Sequence, residues 1–386
     1  MQLLKLYERT SQEGQDVEQV PANVIHHFLL AICTHRGVGL CFADNGWYPR
    51  LDGEVIDDVI KLESGQQNPP QSRNGKVFNK ILGNVLKMLK ISEDARQQEL
   101  ALKILRACPE LVSGYLPSIG LTFEPRLSSK WLANIAFLGS VVSLPVPSES
   151  FLLPINSAGS SSLSSQYIPT PPLLSTIVEN IIPSVDLKLH LTKALQSNSA
   201  LVRHSASLAL VKILLKYGSV LHTCYQIEHA LEEDGVNGQW TSRRQALEKE
   251  MRRKVPDIQT IVAFSALNNN HAEKGMNVIT QHAMLSEVCQ RLLWLYHRYL
   301  PALVAEARYE TGKSLGSFMQ FENEDLEENL QIYGFLLLQQ LHVLKSLKES
   351  DQFIWSSKAG MCDVHSLMSL SNFPQDILRP RTSISY

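Results

Sequence analysis

The sequence predicts an all-α fold, an irregular helical repeat of the HEAT or armadillo type, which is an α-solenoid. Apolar residues recur three and four positions apart along most of the 386-residue chain, as they do on one face of an α-helix. The chain contains no runs of alternating β-branched residues, which would indicate strands. The helical blocks are short and follow one another, so each needs a neighbouring helix to cover its apolar face.

The first helix that the periodicity predicts spans residues 76–90. Counted at about 100° per residue, one half of this helix carries its apolar residues, namely Val77, Phe78, Ile81, Val85, Met88 and Leu89. A stripe roughly 80° wide on the opposite side carries the lysines Lys76, Lys80, Lys87 and Lys90. The segment is therefore an amphipathic helix with one basic face.

Two further helices follow the same pattern. Residues 94–108 place Ala101, Leu105 and Cys108 at i, i+4 and i+7, and Pro109 ends this helix. Residues 199–218 bring four side chains onto one face, namely Val202, Ala206, Ala209 and Ile213. We expect Gly218 to end that helix, because glycine is common just past a helix C-terminus.

The C-terminal part of the chain is also helical in pattern. A long periodic stretch over residues 278–308 contains Pro301, which should kink or divide it. The last long helix repeats at i, i+4, i+7, i+11, i+15 and i+18, with Leu326, Leu330, Tyr333, Leu337, Leu341 and Leu344. Its acidic start at 321–330 and the lysines Lys345 and Lys348 near its end complement the helix dipole.

The connectors divide the chain into four predicted regions. Residues 1–144 form a first helical block and residues 173–350 a second one. Residues 145–172, with their prolines and serine cluster, predict a mobile surface loop with some polyproline character. Residues 351–386 form a partly irregular tail.

Composition favours a folded, soluble, intracellular protein. Hydrophobic residues make up 44% of the chain, and no apolar run approaches the roughly 20 residues that a membrane span needs. The six cysteines are scattered without a CxxC pair, so neither a disulfide framework nor a zinc site is expected. The net charge of -2 argues against a wholly basic nucleic-acid module. This net charge is a sum over positive and negative blocks of the chain. The positive blocks are residues 73–130 (ten basic, five acidic) and 241–313 (eleven basic, seven acidic).

The sequence contains no complete catalytic motif. Gly312, Lys313 and Ser314 resemble the end of a P-loop, but the glycine that should stand five positions before Gly312 is Ala307. Residues 312–316 also fit the GxSxG pattern of a hydrolase. Both motifs require a preceding strand, whereas residues 300–310 are helical in pattern. The sequence therefore predicts a protein that is not an enzyme and that binds no cofactor or metal.

Residues 243–254 are the most basic segment of the chain. Leu247, Met251 and Val255 make a narrow apolar stripe, and the cations Arg243, Arg244, Arg252, Arg253 and Lys254 spread around the remainder. Two interpretations stay open, a helix whose arginines are merely solvated and an element that contacts phosphates or acidic groups.

Three stretches carry a resemblance to a known family. They are HHFLLAICTHRGVGLCFADNGWYPR (26–50), RQQELALKILRACPELVSGYL (96–116) and LTFEPRLSSKWLANIAFLGSVVSLPVP (121–147). The chain resembles the nucleolar pre-ribosomal-associated scaffolds of 60S ribosome assembly, also called the unhealthy ribosome biogenesis protein one family. The match runs from the end of that family's N-terminal domain into its central HEAT-like region. Members are several times longer, so this chain corresponds to a fragment.

The resemblance implies a nucleolar, non-enzymatic scaffold. Such a protein binds pre-ribosomal RNA and early 60S assembly factors, including a DEAD-box helicase module. Trp131, which belongs to the matching residues, begins a helix with apolar positions at Ile135, Leu138 and Val142, so we expect it to pack in the core.

Two functional hypotheses follow. In the first, the chain contacts RNA phosphates through its basic helix faces, with Lys76, Lys80, Lys87, Lys90, Arg243, Arg244, Arg252, Arg253 and Lys254 as candidates. In the second, it is a protein–protein adaptor that holds a partner helix or peptide without touching RNA directly. An exposed apolar groove would favour the adaptor, and a continuous basic surface would favour RNA.

Overall fold

Helices provide nearly all the regular structure in the computed structural model of this chain. The structure describes residues 2–8, 20–37, 39–49, 77–153, 167–183, 186–233, 235, 238–268, 276–307 and 330–349. Within these ranges the only strand-like feature is an isolated antiparallel bridge between Leu152 and Tyr167. The prediction of an all-α fold is confirmed.

The α-helices are numbered in chain order. They are α1 (Pro21–Thr34), α2 (Lys80–Met88), α3 (Ala95–Ala107), α4 (Val112–Ser118), α5 (Ser129–Val142), α6 (Leu174–Ile181), α7 (Leu187–Leu195), α8 (Ala200–Ala230), α9 (Gln239–Lys254), α10 (Ile258–Asn268), α11 (Met276–Tyr299), α12 (Pro301–Glu306) and α13 (Leu330–Glu349). Short 3-10 helices cover Gln2–Glu8, Pro109–Leu111 and Ser148–Phe151.

Local sequence signals place the starts of α3 and α5. The Asp94 side chain accepts a hydrogen bond from the Arg96 backbone N–H at 2.9 Å and caps α3. The Ser128 hydroxyl accepts one from the Trp131 N–H at 3.2 Å and caps α5 in the same way. Trp131 is buried, and its indole N–H donates to the Phe123 carbonyl at 3.1 Å. The expectation that this tryptophan packs in the core is confirmed.

Helix α8 is the longest helix among the described residues. It packs against α5, α6, α7, α9 and α11, so it buries residues on most of its faces. The predicted end at Gly218 is wrong, since the helix continues to Ala230. Gly218 instead allows α11 to approach closely. A Cβ atom at this position would overlap Cζ of the Tyr299 ring.

The C-terminal helices confirm one prediction and correct another. Pro301 separates α11 from α12 and is the first residue of α12, as expected for a residue that cannot donate a backbone hydrogen bond. In α13, Tyr333 of the predicted buried face is 48% exposed, whereas Ile332, Leu336 and Val343 are buried. Packing against α11 therefore selects a stripe about 100° from the predicted one.

Helix α2 shows the same kind of error. It is shorter than predicted, and its buried side chains are Leu82 and Leu86, while Ile81 is 53% exposed and Met88 is also exposed. The segment carries apolar residues on two adjacent arcs. Contact with α3 and α4 selects the arc that contains Leu82 and Leu86.

The main buried hydrophobic cluster of the described residues extends from Tyr7 to Val304, and a second, smaller one contains Ala283, Ile332 and Leu336. The described edges of the predicted surface loop are part of the main cluster. Phe151 is only 2% exposed, and its ring centroid lies 5.7 Å from that of Trp47 and 5.6 Å from that of Trp240. Residues 154–166, with the serine cluster, and the tail 351–386 lie outside the described residues.

Three observations concern a membrane span, a metal site and the motif at 312–316. No helix in the described part of the chain is long and apolar enough to cross a membrane. Within the same ranges, no three His, Cys, Asp or Glu side chains are grouped so as to hold a metal ion. Residues 312–316 lie outside the described residues, and the last described element before them is the helix α12.

Candidate nucleic-acid interface

The basic segment folds as helix α9 for identifiable reasons. The Glu233 carboxylate accepts hydrogen bonds from the backbone N–H groups of Trp240 at 3.0 Å and Thr241 at 2.9 Å, and so caps the first turn. The predicted apolar stripe is confirmed, because Leu247 and Met251 are fully buried. The stripe packs α9 against α6 and α8, and the rest of the helix surface is polar.

Arg244 is held inside a network of side chains. Its Nε lies 2.7 Å from Oε1 of Glu228 and its Nη1 lies 3.0 Å from Oε1 of Glu248. The guanidinium also lies over the Tyr225 ring, 4.3 Å from the centroid, and the side chain is only 14% exposed. The hydrogen bond to Glu228 raises the pKa of Arg244. This arginine ties α9 to α8, and its charge is compensated within the fold.

The C-terminal turn of α9 carries the more accessible cations. Arg252 and Arg253 are exposed, and Lys254 is partly buried beside Leu187 and Pro256. Arg253 pairs with Glu250 at 3.1 Å, a surface contact that contributes little stability. Arg243, at the other end of the basic segment, is partly buried.

The lysines of the 76–90 segment separate in a similar way. Lys80 and Lys87 are exposed on α2, and Lys76 lies outside the described residues. Lys90 follows the end of α2, and its Nζ lies 3.0 Å from Oε1 of Glu8 and 3.9 Å from Oε2 of Glu93. The hydrogen bond to Glu8 raises the pKa of Lys90.

The structure places the two candidate groups on helices with different neighbours. Helix α2 packs against α3 and α4, whereas α9 packs against α6 and α8. The two groups of cations therefore lie on helices that pack against different parts of the hydrophobic core. Whether they contact RNA stays a prediction for all nine residues.

Lys216 lies on α8 and is not among the site residues predicted from the sequence. Its side chain is buried, its Nζ donates a hydrogen bond to the Leu144 carbonyl, and its amine lies 5.6 Å from the centroid of the Trp47 ring. Burial lowers the pKa of this lysine to about 8. The helical spacing could have indicated that Lys216 is buried, because Ile213 and Val220, at i−3 and i+4, belong to the buried face of the same helix.

Comparison with known proteins gives a consistent family of relatives. Residues 1–134 match the family model described as "Npa1: Ribosome 60S biogenesis N-terminal". The chain is similar to nucleolar pre-ribosomal-associated protein 1 of Saccharomyces cerevisiae, with 30% identity over 295 residues, which is 71% of this chain and 15% of that protein.

The proteins of the same name in Mus musculus and Homo sapiens are also similar. The mouse protein is 23% identical over 86% of this chain, and the human protein is 24% identical over 71% of it. The matched part of these three relatives is between 12% and 15% of their own length. No solved structure matches the chain.

Proposed function

This chain belongs to the family of nucleolar pre-ribosomal-associated protein 1, and from that we infer that it is a segment of a nucleolar scaffold for 60S subunit assembly. The scaffold catalyses no reaction. Its helices present surfaces to pre-ribosomal RNA and to early assembly factors, among them a DEAD-box helicase module. The names of the relatives and the all-α architecture support this proposal.

The RNA contact is assigned first to the C-terminal turn of α9. The observation that carries the assignment is the run of Arg252, Arg253 and Lys254, in which two consecutive arginines are exposed. One cation near a helix C-terminus suffices to complement the helix dipole, and three provide charge in excess of that role. Cations on a helix surface bind RNA through phosphates and shape, without reading base identity.

Helix α2 provides a second, weaker contact. Lys80 and Lys87 are exposed on this helix and offer point charges to phosphates. Lys76 remains a candidate of the same kind. Lys90 and Arg244 contribute less, because Glu8 and Glu228 already compensate their charges.

The test is a charge reversal of Arg252, Arg253 and Lys254 to Glu. Binding of a large-subunit rRNA transcript is measured by filter binding between about 50 and 200 mM salt, a range in which binding through phosphates weakens measurably. We expect weaker binding, and a salt slope that falls by about 0.9 for each phosphate that the variant no longer neutralises. Arg244 is left unchanged, because its reversal would break the ion pairs with Glu228 and Glu248.

A matched control carries the three reversals Lys103→Glu, Lys130→Glu and Lys193→Glu, at exposed lysines on α3, α5 and α7. Any effect of net charge alone appears in this control too. An unchanged salt slope in the α9 variant, or an equal change in the control, would remove α9 from the RNA interface.

An adaptor function is the second candidate. Helix α8 buries 16 of its 31 residues and exposes three leucines at intervals of seven residues, namely Leu201, Leu208 and Leu215. A heptad-spaced apolar stripe is the surface against which an amphipathic partner helix packs. Replacing Leu208 and Leu215 with Ser should abolish binding of an assembly factor in a pull-down. Unchanged binding of that factor by the variant would contradict the adaptor hypothesis.

A further inference from the structure

A cavity lies where the first part of the chain meets α8. Its volume is about 400 Å³, within the range of small-ligand sites in proteins. The walls come from the loop around Asp44 and Trp47, from the chain segment 144–150, and from helices α3, α4, α5, α6 and α8, and they include Arg36 and Arg106. It belongs neither to the surface of α9 nor to that of α2.

The amine of Lys216 lines this cavity. The side chain is only 7% exposed, and the Leu144 carbonyl accepts one of the three hydrogen bonds that an ammonium group can donate. Among the described residues, no carboxylate forms an ion pair with Lys216. A buried cation without a counter-charge is costly, so the amine favours an anionic group that enters the cavity.

The acidic groups of the wall are engaged elsewhere. Asp44 accepts hydrogen bonds from the backbone N–H groups of Gly46 at 3.1 Å and Glu110 at 3.4 Å. Glu149, which is largely exposed, lies 3.8 Å from the guanidinium of Arg36. Arg36 in turn donates to the Ala107 carbonyl at 2.8 Å. Among the described wall residues, the buried cation that lacks a counter-charge is therefore Lys216.

The same groups decide which anion fits. The wall holds the carboxylates Asp44 and Glu149 together with Arg36 and Arg106, so these four charges sum to zero. Lys216 leaves one net positive charge, which a single carboxylate balances and a multiply charged phosphate exceeds. An RNA backbone running over the surface would also have to bring its phosphate down to an amine that is 7% exposed. A carboxylate at the end of a slim side chain meets both conditions.

We propose that the cavity is a recognition site for a protein partner, which inserts an Asp or Glu side chain to pair with Lys216. Trp47 forms the apolar part of the wall beside the amine and packs against the methylene groups of the entering side chain. The partner binds through one acidic anchor residue. This goes beyond the RNA contacts proposed for α9 and holds or fails independently of them.

Binding of a carboxylate beside Lys216 can be detected as a change in the pKa of this lysine. Without a partner, burial holds this pKa at about 8. A carboxylate beside the amine stabilises its charged form and raises the pKa. If the pKa rises by about one, the fraction of reactive free amine at a fixed pH of about 7 falls by nearly tenfold.

The experiment is trace labelling of the 386-residue chain with acetic anhydride at that pH, with the reaction rate of each lysine read by mass spectrometry. The probe is N-acetyl-glutamic acid α-amide, which presents a glutamate side chain without other charges. Its neutral isostere N-acetyl-glutaminamide is the control ligand, and Lys249, exposed on α9, is the control lysine. We expect saturable protection of Lys216 by the acid alone, approaching tenfold, with Lys249 unchanged.

Three results would overturn the proposal. They are no protection of Lys216, equal protection by the neutral isostere, and stronger protection by inorganic phosphate at the same ionic strength. A second measurement uses the variant Lys216→Met, in which the probe should no longer raise Tm, and Lys216→Arg, in which the rise should persist. If neither variant folds, the labelling of the unchanged chain still decides.

Discussion

Helices α8 and α9 follow each other along the chain and bury their side chains in different ways. Helix α8 contacts five other helices and hides residues on most of its faces, whereas α9 hides a narrow stripe around Leu247 and Met251. A positively charged side chain therefore has different surroundings on the two helices. Lys216 on α8 lines an internal cavity, and Arg252 on α9 faces solvent. Position within the packing, more than residue type, decides what a cation can bind.

The largest expected effect tests the enclosure of α8. The change Leu210→Ala removes a side chain that is 0% exposed at the centre of the helix. The lost burial and the remaining cavity should lower the free energy of unfolding by about 2–5 kcal/mol, measured by chemical denaturation.

The control for this prediction lies on the same helix. Leu208 is 36% exposed, so Leu208→Ala should lower the free energy of unfolding by less than about 1 kcal/mol. Equal losses in the two variants would mean that α8 is covered on the Leu208 side as well, and the contrast with α9 would disappear.

A second prediction concerns the pH dependence caused by Lys216. Its folded pKa of about 8 lies below the ordinary lysine value of 10.5, so between these pH values the unfolded chain binds more protons. The contribution of Lys216 to the free energy of unfolding therefore rises with pH through this range. We expect Lys216→Met to be more stable than the unchanged chain at about pH 7, and to lose roughly 3 kcal/mol of that advantage by about pH 10.5.

This measurement compares the free energies of unfolding of the two chains at each pH, so that the titration of other groups cancels. A stability difference that does not change with pH would show that Lys216 has an ordinary pKa and is solvated. The cavity would then lack the uncompensated amine on which the partner site depends.

The smallest expected effect compares two arginines of α9. Arg244→Met removes charge-assisted hydrogen bonds to Glu228 and Glu248, which should cost about 1–3 kcal/mol of unfolding free energy. Arg252→Met should stay within about 0.5 kcal/mol, because Arg252 is exposed. Thermal unfolding of both variants measures these two losses of stability. If Arg252→Met were as destabilising as Arg244→Met, the end of α9 would be a structural element rather than a binding surface.

The sequence was sufficient where a helix has one apolar stripe or an unambiguous stop. The stripe of α9 and the division at Pro301 were predicted correctly. It was insufficient where the apolar residues cover two adjacent arcs. In α2 and α13 the neighbouring helices select the arcs that contain Leu82 and Ile332, and the periodicity alone gives no preference.

The candidate site shows a similar limit. Exposed cations at the end of α9 follow from the helical pattern, but the role of Arg244 depends on Glu228, which is 16 residues away on another helix. Lys216 depends on Leu144 and Trp47, which are still further away along the chain. Such pairings arise from the tertiary packing, which a single sequence does not specify.

Because Gly218 has no side chain beyond a hydrogen atom, α11 can pack closely along α8 at this position. The Tyr299 ring fills the space where a Cβ would stand. Sliding α11 by one helical turn, about 5.4 Å, would set that ring against Leu214 or His222 instead. The contact therefore favours one axial register of the two helices. The exposed faces of α8 and α11 are thereby held in a fixed alignment on either side of the contact.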